Sequence, residues 1–208
     1  MSGNTNSNMP LVETLRVIQQ SRGKEDIVVT TMGTGREWSG FEQHPLDLVY
    51  VPSSMGQATS VALGLAIAQP DRRVIVCQGD GSLLMNLGSL VTITSRMPQN
   101  LVVLLMENRV YEITGRQGTP GTAELRADGQ DTDFAELARA AGFPEVLEFD
   151  DLAAWRDAAS MVLSSSGPVF AVLKVEPVSG ETAPRSPGPA WERATALRER
   201  LTRSSGGA

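Results

Sequence analysis

Gly79-Asp80-Gly81-Ser82 and Asn108, which stands 28 residues after Asp80, are the residues of this chain best suited to chemistry. A carboxylate and an amide supply hard oxygen donors of the kind that hold Mg²⁺ or Ca²⁺. Mg²⁺ usually takes one or two such protein ligands beside the oxygens of a bound phosphate. The two glycines remove side chains where backbone must approach something closely or take a positive φ. A helix opening after GDGS would aim its unpaired N–H groups at an anion. A plain turn at GDG and a plain cap at Asn108 are written with the same letters, so both readings stay open here. No Cys/His set offers a zinc site, because His44 is the only histidine and Cys77 the only cysteine. Cys77 lies inside an apolar run and reads as a small core residue.

Elements must bring Asp80 and Asn108 together. Short, nearly continuous apolar runs at 26–31, 46–52, 74–78, 101–106 and 169–176 read as strands. Helical patterns fill 11–20, the small-residue stretch from Pro52-Ser53-Ser54 to Pro70, about 83–96 ahead of Pro98, 134–142 and 151–165. Residues 114–130 read as a loop rich in Gly, Thr and Pro. Strands alternating with helices imply an α/β fold, a parallel β-sheet flanked by helices on both faces. If the strands at 74–78 and 101–106 are neighbours, the crossover between them is right-handed and both end at one edge. Ligands of open α/β sheets bind at that edge, and Asp80 and Asn108 leave the strands there.

The chain divides into a flexible N-terminus at 1–10, an α/β domain at 11–178, and a linker with a possible C-terminal helix at 179–208. No internal repeat is present. A net charge of −6 argues against a nucleic-acid partner. One cysteine excludes an internal disulfide and fits a reducing cytoplasm. MSGNTNSNMP lacks the basic and apolar regions of a signal peptide, and the apolar stretch at 61–68 is too short to span a bilayer, so a cytoplasmic protein off the membrane is expected.

GDG followed by an Asn after this interval resembles the motif of thiamine diphosphate-dependent enzymes. The resemblance covers about residues 10–176. It implies that Asp80, Asn108 and the Val110 carbonyl hold Mg²⁺, which in turn holds the cofactor's diphosphate. Gly79, Gly81 and Ser82 would lie against the diphosphate, and Thr34, in VTTMGTGRE, is a candidate for the diphosphate end of the cofactor. In VPSSMGQATSVALGLAIA, Met55 would prop the thiazolium and the Ser53 carbonyl would accept a bond from the aminopyrimidine, with Ser54 beside it. Tyr111 completes the implied cofactor set. SSMGQATSVALGLA, GDGSLLMNLGSL and TGRQ are most similar to phosphonopyruvate decarboxylases and sulfopyruvate decarboxylase β subunits. The chain departs from the family at Glu107, usually Asn or Asp, at Ser53, commonly Gly, and at Glu112, where those decarboxylases usually have Gly.

In this family an activating glutamate comes from a separate pyrimidine-binding domain, which needs about 150 further residues of α/β pattern. The expectation is a diphosphate-binding subunit of a heteromeric 2-oxo acid decarboxylase, active with a pyrimidine-domain partner that supplies the glutamate. An acetolactate-synthase-like carboligase subunit and a catalytically silent regulatory or structural subunit are the alternatives. A flavodoxin-like nucleotide binder would explain the sheet and turn but neither Asn108 nor the SSMG segment. For the substrate, Arg36, Arg109 and Arg116 are candidates to meet an anionic group, His44 to relay a proton, and Glu112 to place a charge near the substrate end. Each arginine could equally be a solvated loop residue, and His44 incidental. Trp38 and Phe41 line either a pocket mouth or an interface.

Overall fold

The structure is a computed structural model and describes residues 8–50, 55–178 and 188–204. Six parallel strands form its centre: β1 (Ile27–Thr31), β2 (Asp47–Tyr50), β3 (Val74–Gly79), β4 (Leu101–Glu107), β7 (Glu145–Phe149) and β8 (Val169–Lys174). Their order is β2-β1-β3-β4-β8-β7, so the chain changes direction across the sheet between β1 and β3. β3 and β4 are neighbours, in register from Val74 with Leu101 to Gly79 with Met106. A short antiparallel pair, β5 (Val110–Tyr111) and β6 (Gln117–Gly118), stands apart from the sheet.

The apolar runs are continuous because both sheet faces are covered. The row Val28, Ile75, Val102 and Val169 faces α1 (Leu11–Ser21), α2 (Met32–Trp38) and α7 (Leu152–Ser164), whose Leu15, Trp38 and Trp155 join the same core. The row Val29, Val76, Val103 and Phe170 faces α3 (Ala58–Ala68), α5 (Gly88–Arg96), α6 (Phe134–Ala141) and α8 (Ala190–Ser204). Asp133 and Asp151 cap α6 and α7, their carboxylates accepting from Glu136 N and Ala154 N at 2.8 Å.

Several elements differ from the sequence reading. β7 has only half-buried or exposed side chains, as an edge strand with acids in its run does, and so lacks the apolar signature. α2, which the sequence reading did not include, follows β1 directly. The helix expected near 83–96 is two: α4 (Asp80–Leu84) and α5. Asn86 separates them, its Nδ2 donating to the Gly56 carbonyl at 2.9 Å. The N-terminus is engaged before Leu11. Met9 is buried, its N–H donates to Lys174 O and its carbonyl accepts from Glu176 N, each at 2.9 Å. The C-terminal helix is present as α8 and packs Leu197 and Leu201 onto the Leu46–Leu48 side of the sheet; Trp191 at its start is exposed. Among the described residues no helix is long and apolar enough to cross a membrane.

Candidate cofactor site

β1, β3 and β4 end together, and the turns that leave them enclose a cleft lined by Gly33, Thr34, Asp80, Ser82, Asn108 and Tyr111, among others. This is the edge, at the switch point between β1 and β3, where ligands of open α/β sheets bind.

Asp80 opens α4 and is 1% exposed. Its Oδ2 accepts from Arg109 N at 3.1 Å and from Thr119 Oγ1 at 3.4 Å, while its buried Oδ1 has no hydrogen-bond partner. Burial raises its pKa to about 6; the Gly81 and Arg109 amides oppose the rise and the Glu107 charge adds to it. A buried carboxylate with one unpaired oxygen lacks a positive charge. Arg109, whose amide makes that bond, has a left-handed backbone with φ +65°. At the end of β4, Asn108 Oδ1 accepts from Val110 N at 3.1 Å, and a second lone pair remains on that oxygen. Among the described residues no three His, Cys, Asp or Glu side chains form a metal group. A cation here would therefore complete its shell with neutral oxygens. Asp80, Asn108 and a nearby backbone carbonyl fit Mg²⁺ on that account.

The two glycines differ. A Cβ on Gly81 would fall 2.4 Å from Tyr111 Cε1, so Gly81 is the seat of the tyrosine ring. A Cβ on Gly79 would meet only Met106 O at 3.9 Å, and the Gly79 φ is −79°, so no protein neighbour and no positive φ requires glycine there. Ser82 Oγ accepts from Gly56 N at 2.9 Å and fixes the turn that carries Met55 into the cleft wall. Gly56 has φ +81°, and a Cβ there would stand 2.9 Å from Asn86 Cβ. The Thr34 hydroxyl is directed to the carbonyls of Thr31 and Cys77, at 2.6 and 3.0 Å, and so points back into the sheet edge. Ser53 and Ser54 lie outside the described residues.

Of the substrate candidates, only Glu112 lines the cleft. Its Oε1 accepts from Val178 N at 2.8 Å, its carboxylate also pairs with the Asn108 side chain, and burial raises its pKa. Arg109 is turned to acids, with Nε 3.4 Å from Glu107 Oε1 and Nη1 2.9 Å from Asp131 Oδ2. Arg116 is exposed in the turn between β5 and β6, with φ +64°. Arg36 lies in the last turn of α2. His44 precedes β2, at the opposite edge of the sheet from Asp80; its Nδ1 accepts from Leu46 N at 3.2 Å, and burial lowers its pKa. Thr119 was not singled out from the sequence. It is 1% exposed, and its N–H donates to Arg109 O at 2.9 Å, so it locks the backbone that holds Asp80. The hairpin that returns it gives no residue-level signal beyond Gly115 and Gly118.

Residues 37–173 match the model of the thiamine pyrophosphate enzyme C-terminal TPP-binding domain. The chain is 36% identical over 170 residues to sulfopyruvate decarboxylase subunit beta of Methanothermobacter thermautotrophicus, covering 80% of this chain and 84% of that one. It is 35% identical over 153 residues to phosphonopyruvate decarboxylase of Streptomyces viridochromogenes, covering 74% of this chain and 36% of that one. An X-ray structure described as a thiamin diphosphate-dependent enzyme from Mycobacterium smegmatis superposes with a TM-score of 0.66 at 16% identity, covering 82% of this chain and 32% of that one. That last likeness speaks to the fold. With the family match spanning most of the chain and the cleft formed at the expected edge, this chain belongs to the thiamine pyrophosphate enzymes, as their C-terminal TPP-binding domain.

Proposed function

We propose that the chain is the diphosphate-binding subunit of a two-chain, thiamine diphosphate- and Mg²⁺-dependent 2-oxo acid decarboxylase. The observation that carries this reading is the buried Asp80 carboxylate with its unpaired Oδ1, in one cleft with Asn108. The β-subunit relative of similar span supports the decarboxylase assignment and the second chain. The cleft supports it too, since its free volume of about 50 Å³ falls well below the ~300 Å³ at which ligand sites begin. A cofactor would be only partly held here, and a pyrimidine-binding partner would supply the other wall and the activating glutamate.

Asp80 Oδ1, Asn108 Oδ1 and the Val110 carbonyl are the groups to hold Mg²⁺, with Arg109 N–H and Thr119 Oγ1 fixing the carboxylate's orientation. Donors that hold a ligand from behind in this way tune its direction and basicity. Ser82 keeps its own proton to donate toward a phosphate while it holds Gly56. Met32, Met55, Met106 and Leu11 supply apolar walls that exclude water from the reacting end. When bound, thiamine diphosphate supplies the electron sink for the pair left as carbon dioxide departs.

Calorimetric titration with thiamine diphosphate and Mg²⁺ tests the assignment, on the chain alone and with its partner, with Asp80→Ala as control. Tight binding with the partner, lost in the variant, is expected. Turnover of 2-oxo acids at ordinary enzyme rates by the pure chain would overturn the two-chain reading. Condensed products in place of simple aldehydes would make it a carboligase.

A further inference from the structure

We propose that Glu112 selects the charge of the substrate's tail: the cleft accepts 2-oxo acids whose tail is uncharged and rejects those carrying a second anion, such as a sulfonate or a phosphonate. The inference rests on the proposed 2-oxo acid chemistry and adds the substrate class.

The charged side chains that line the cleft are Asp80 and Glu112, with no Lys, Arg or His beside them among the described residues. Asp80 is engaged by Arg109 N–H and Thr119 Oγ1 and has the remaining oxygen suited to a cation. Glu112 is held in place by Val178 N, by the Asn108 side chain and by its seat beside Gly33. Val178 N donates to its Oε1 at 2.8 Å. Its Oε2 occupies the space a side chain would fill at residue 33, 2.5 Å from where a Cβ on Gly33 would stand. The carboxylate is thereby fixed between the β1–α2 junction and the chain leaving β8, and cannot turn to solvent without breaking that seat.

None of the nearby arginines lines the cleft. Arg109 is paired with Glu107 and Asp131. The Arg116 charge bears on Glu112 from the exposed turn of the hairpin. Arg36 and His44 do not line the cleft. Every 2-oxo acid brings one carboxylate, so discrimination falls on any further charge. A second anion roughly 6–12 Å from a fixed carboxylate, at an effective dielectric constant near 20, is disfavoured by a factor on the order of 10 to 100.

The test uses the assembly purified through this chain, loaded with thiamine diphosphate and Mg²⁺. Calorimetry compares 2-hydroxybutyrate with sulfolactate, two unreactive 2-hydroxy acids that differ in tail charge. Wild type is expected to bind 2-hydroxybutyrate more tightly, by on the order of tenfold or more. Glu112→Gln keeps an acceptor for Val178 N, removes the charge, and is expected to bring the ratio toward one. Sulfolactate bound as tightly as 2-hydroxybutyrate by wild type, neither ligand bound, or a ratio unmoved in a Glu112→Gln assembly that still binds thiamine diphosphate would each overturn the proposal. If that variant does not fold, the wild-type ratio decides. Turnover of 2-oxobutyrate and sulfopyruvate is measured in parallel. Absence of turnover with the binding ratio present removes the decarboxylase assignment and leaves the charge selection standing.

Discussion

Asp80 is costly to the metal-free chain. Its pKa rises from 3.8 to about 6 on folding, so the folded state binds the proton more tightly than the unfolded state does. Stability therefore falls as pH rises between about 4 and 6. Above that window the ionised group opposes folding by on the order of 3 kcal/mol. Asp80→Asn should make the metal-free chain more stable at pH 7, by about 1–3 kcal/mol in urea unfolding, while abolishing Mg²⁺ binding. A stability unchanged by the substitution would mean that the carboxylate is already compensated. By the same linkage, Mg²⁺ affinity should weaken as pH drops below about 6, where a proton competes for the carboxylate. Asp80 and Asn108 were legible in the sequence because a strand-turn-helix-strand unit sends both to one sheet edge. Thr119 was not, because its approach depends on the fold of a hairpin inside a loop. At Gly79 the protein neighbours leave ordinary room, a property of packing that residue type does not carry.

At the scale of elements, the cleft depends on how α4 is joined to the turn before α3. Ser82 Oγ and Asn86 Nδ2 grip the N–H and carbonyl of Gly56 from either side. Asn86→Ala would leave that carbonyl without its partner, at an expected cost of about 1–2 kcal/mol. It should also loosen thiamine diphosphate binding, since Met55 precedes the gripped residue. Thermal unfolding and calorimetry together check this, and a stability loss with unchanged cofactor affinity would detach the turn from the site. The break between α4 and α5 was invisible to periodicity because the helical spacing of apolar residues runs across it. What interrupts the helix is a long-range hydrogen bond. β7 escaped notice because an edge strand buries too little to write an apolar run. The central strands, buried on both sides, were readable for the converse reason.

At the scale of the molecule, α8 lies beyond the span matched by the family model, yet its Leu197 and Leu201 belong to the core that contains Leu46 and Leu48. Leu197→Ala should cost about 2–3 kcal/mol, at the low end for a buried leucine because the helix sits at the margin of the sheet. Mg²⁺ binding should persist, since β2 is separated from β3 by β1. Loss of metal binding in a folded variant would show that α8 reaches the site. The strand order also sets a schedule for synthesis. β1, β3 and β4, which carry the cofactor edge, leave the ribosome early, but the strand that covers the outer side of β4 is β8. Until Val169–Lys174 has been made, the fully buried run Leu101–Glu107 has one row of backbone groups open for pairing. The nascent chain between those two strands is thus the form most exposed to chaperones and to pairing with its own copies, at a stage when most of its candidate cofactor edge is already encoded.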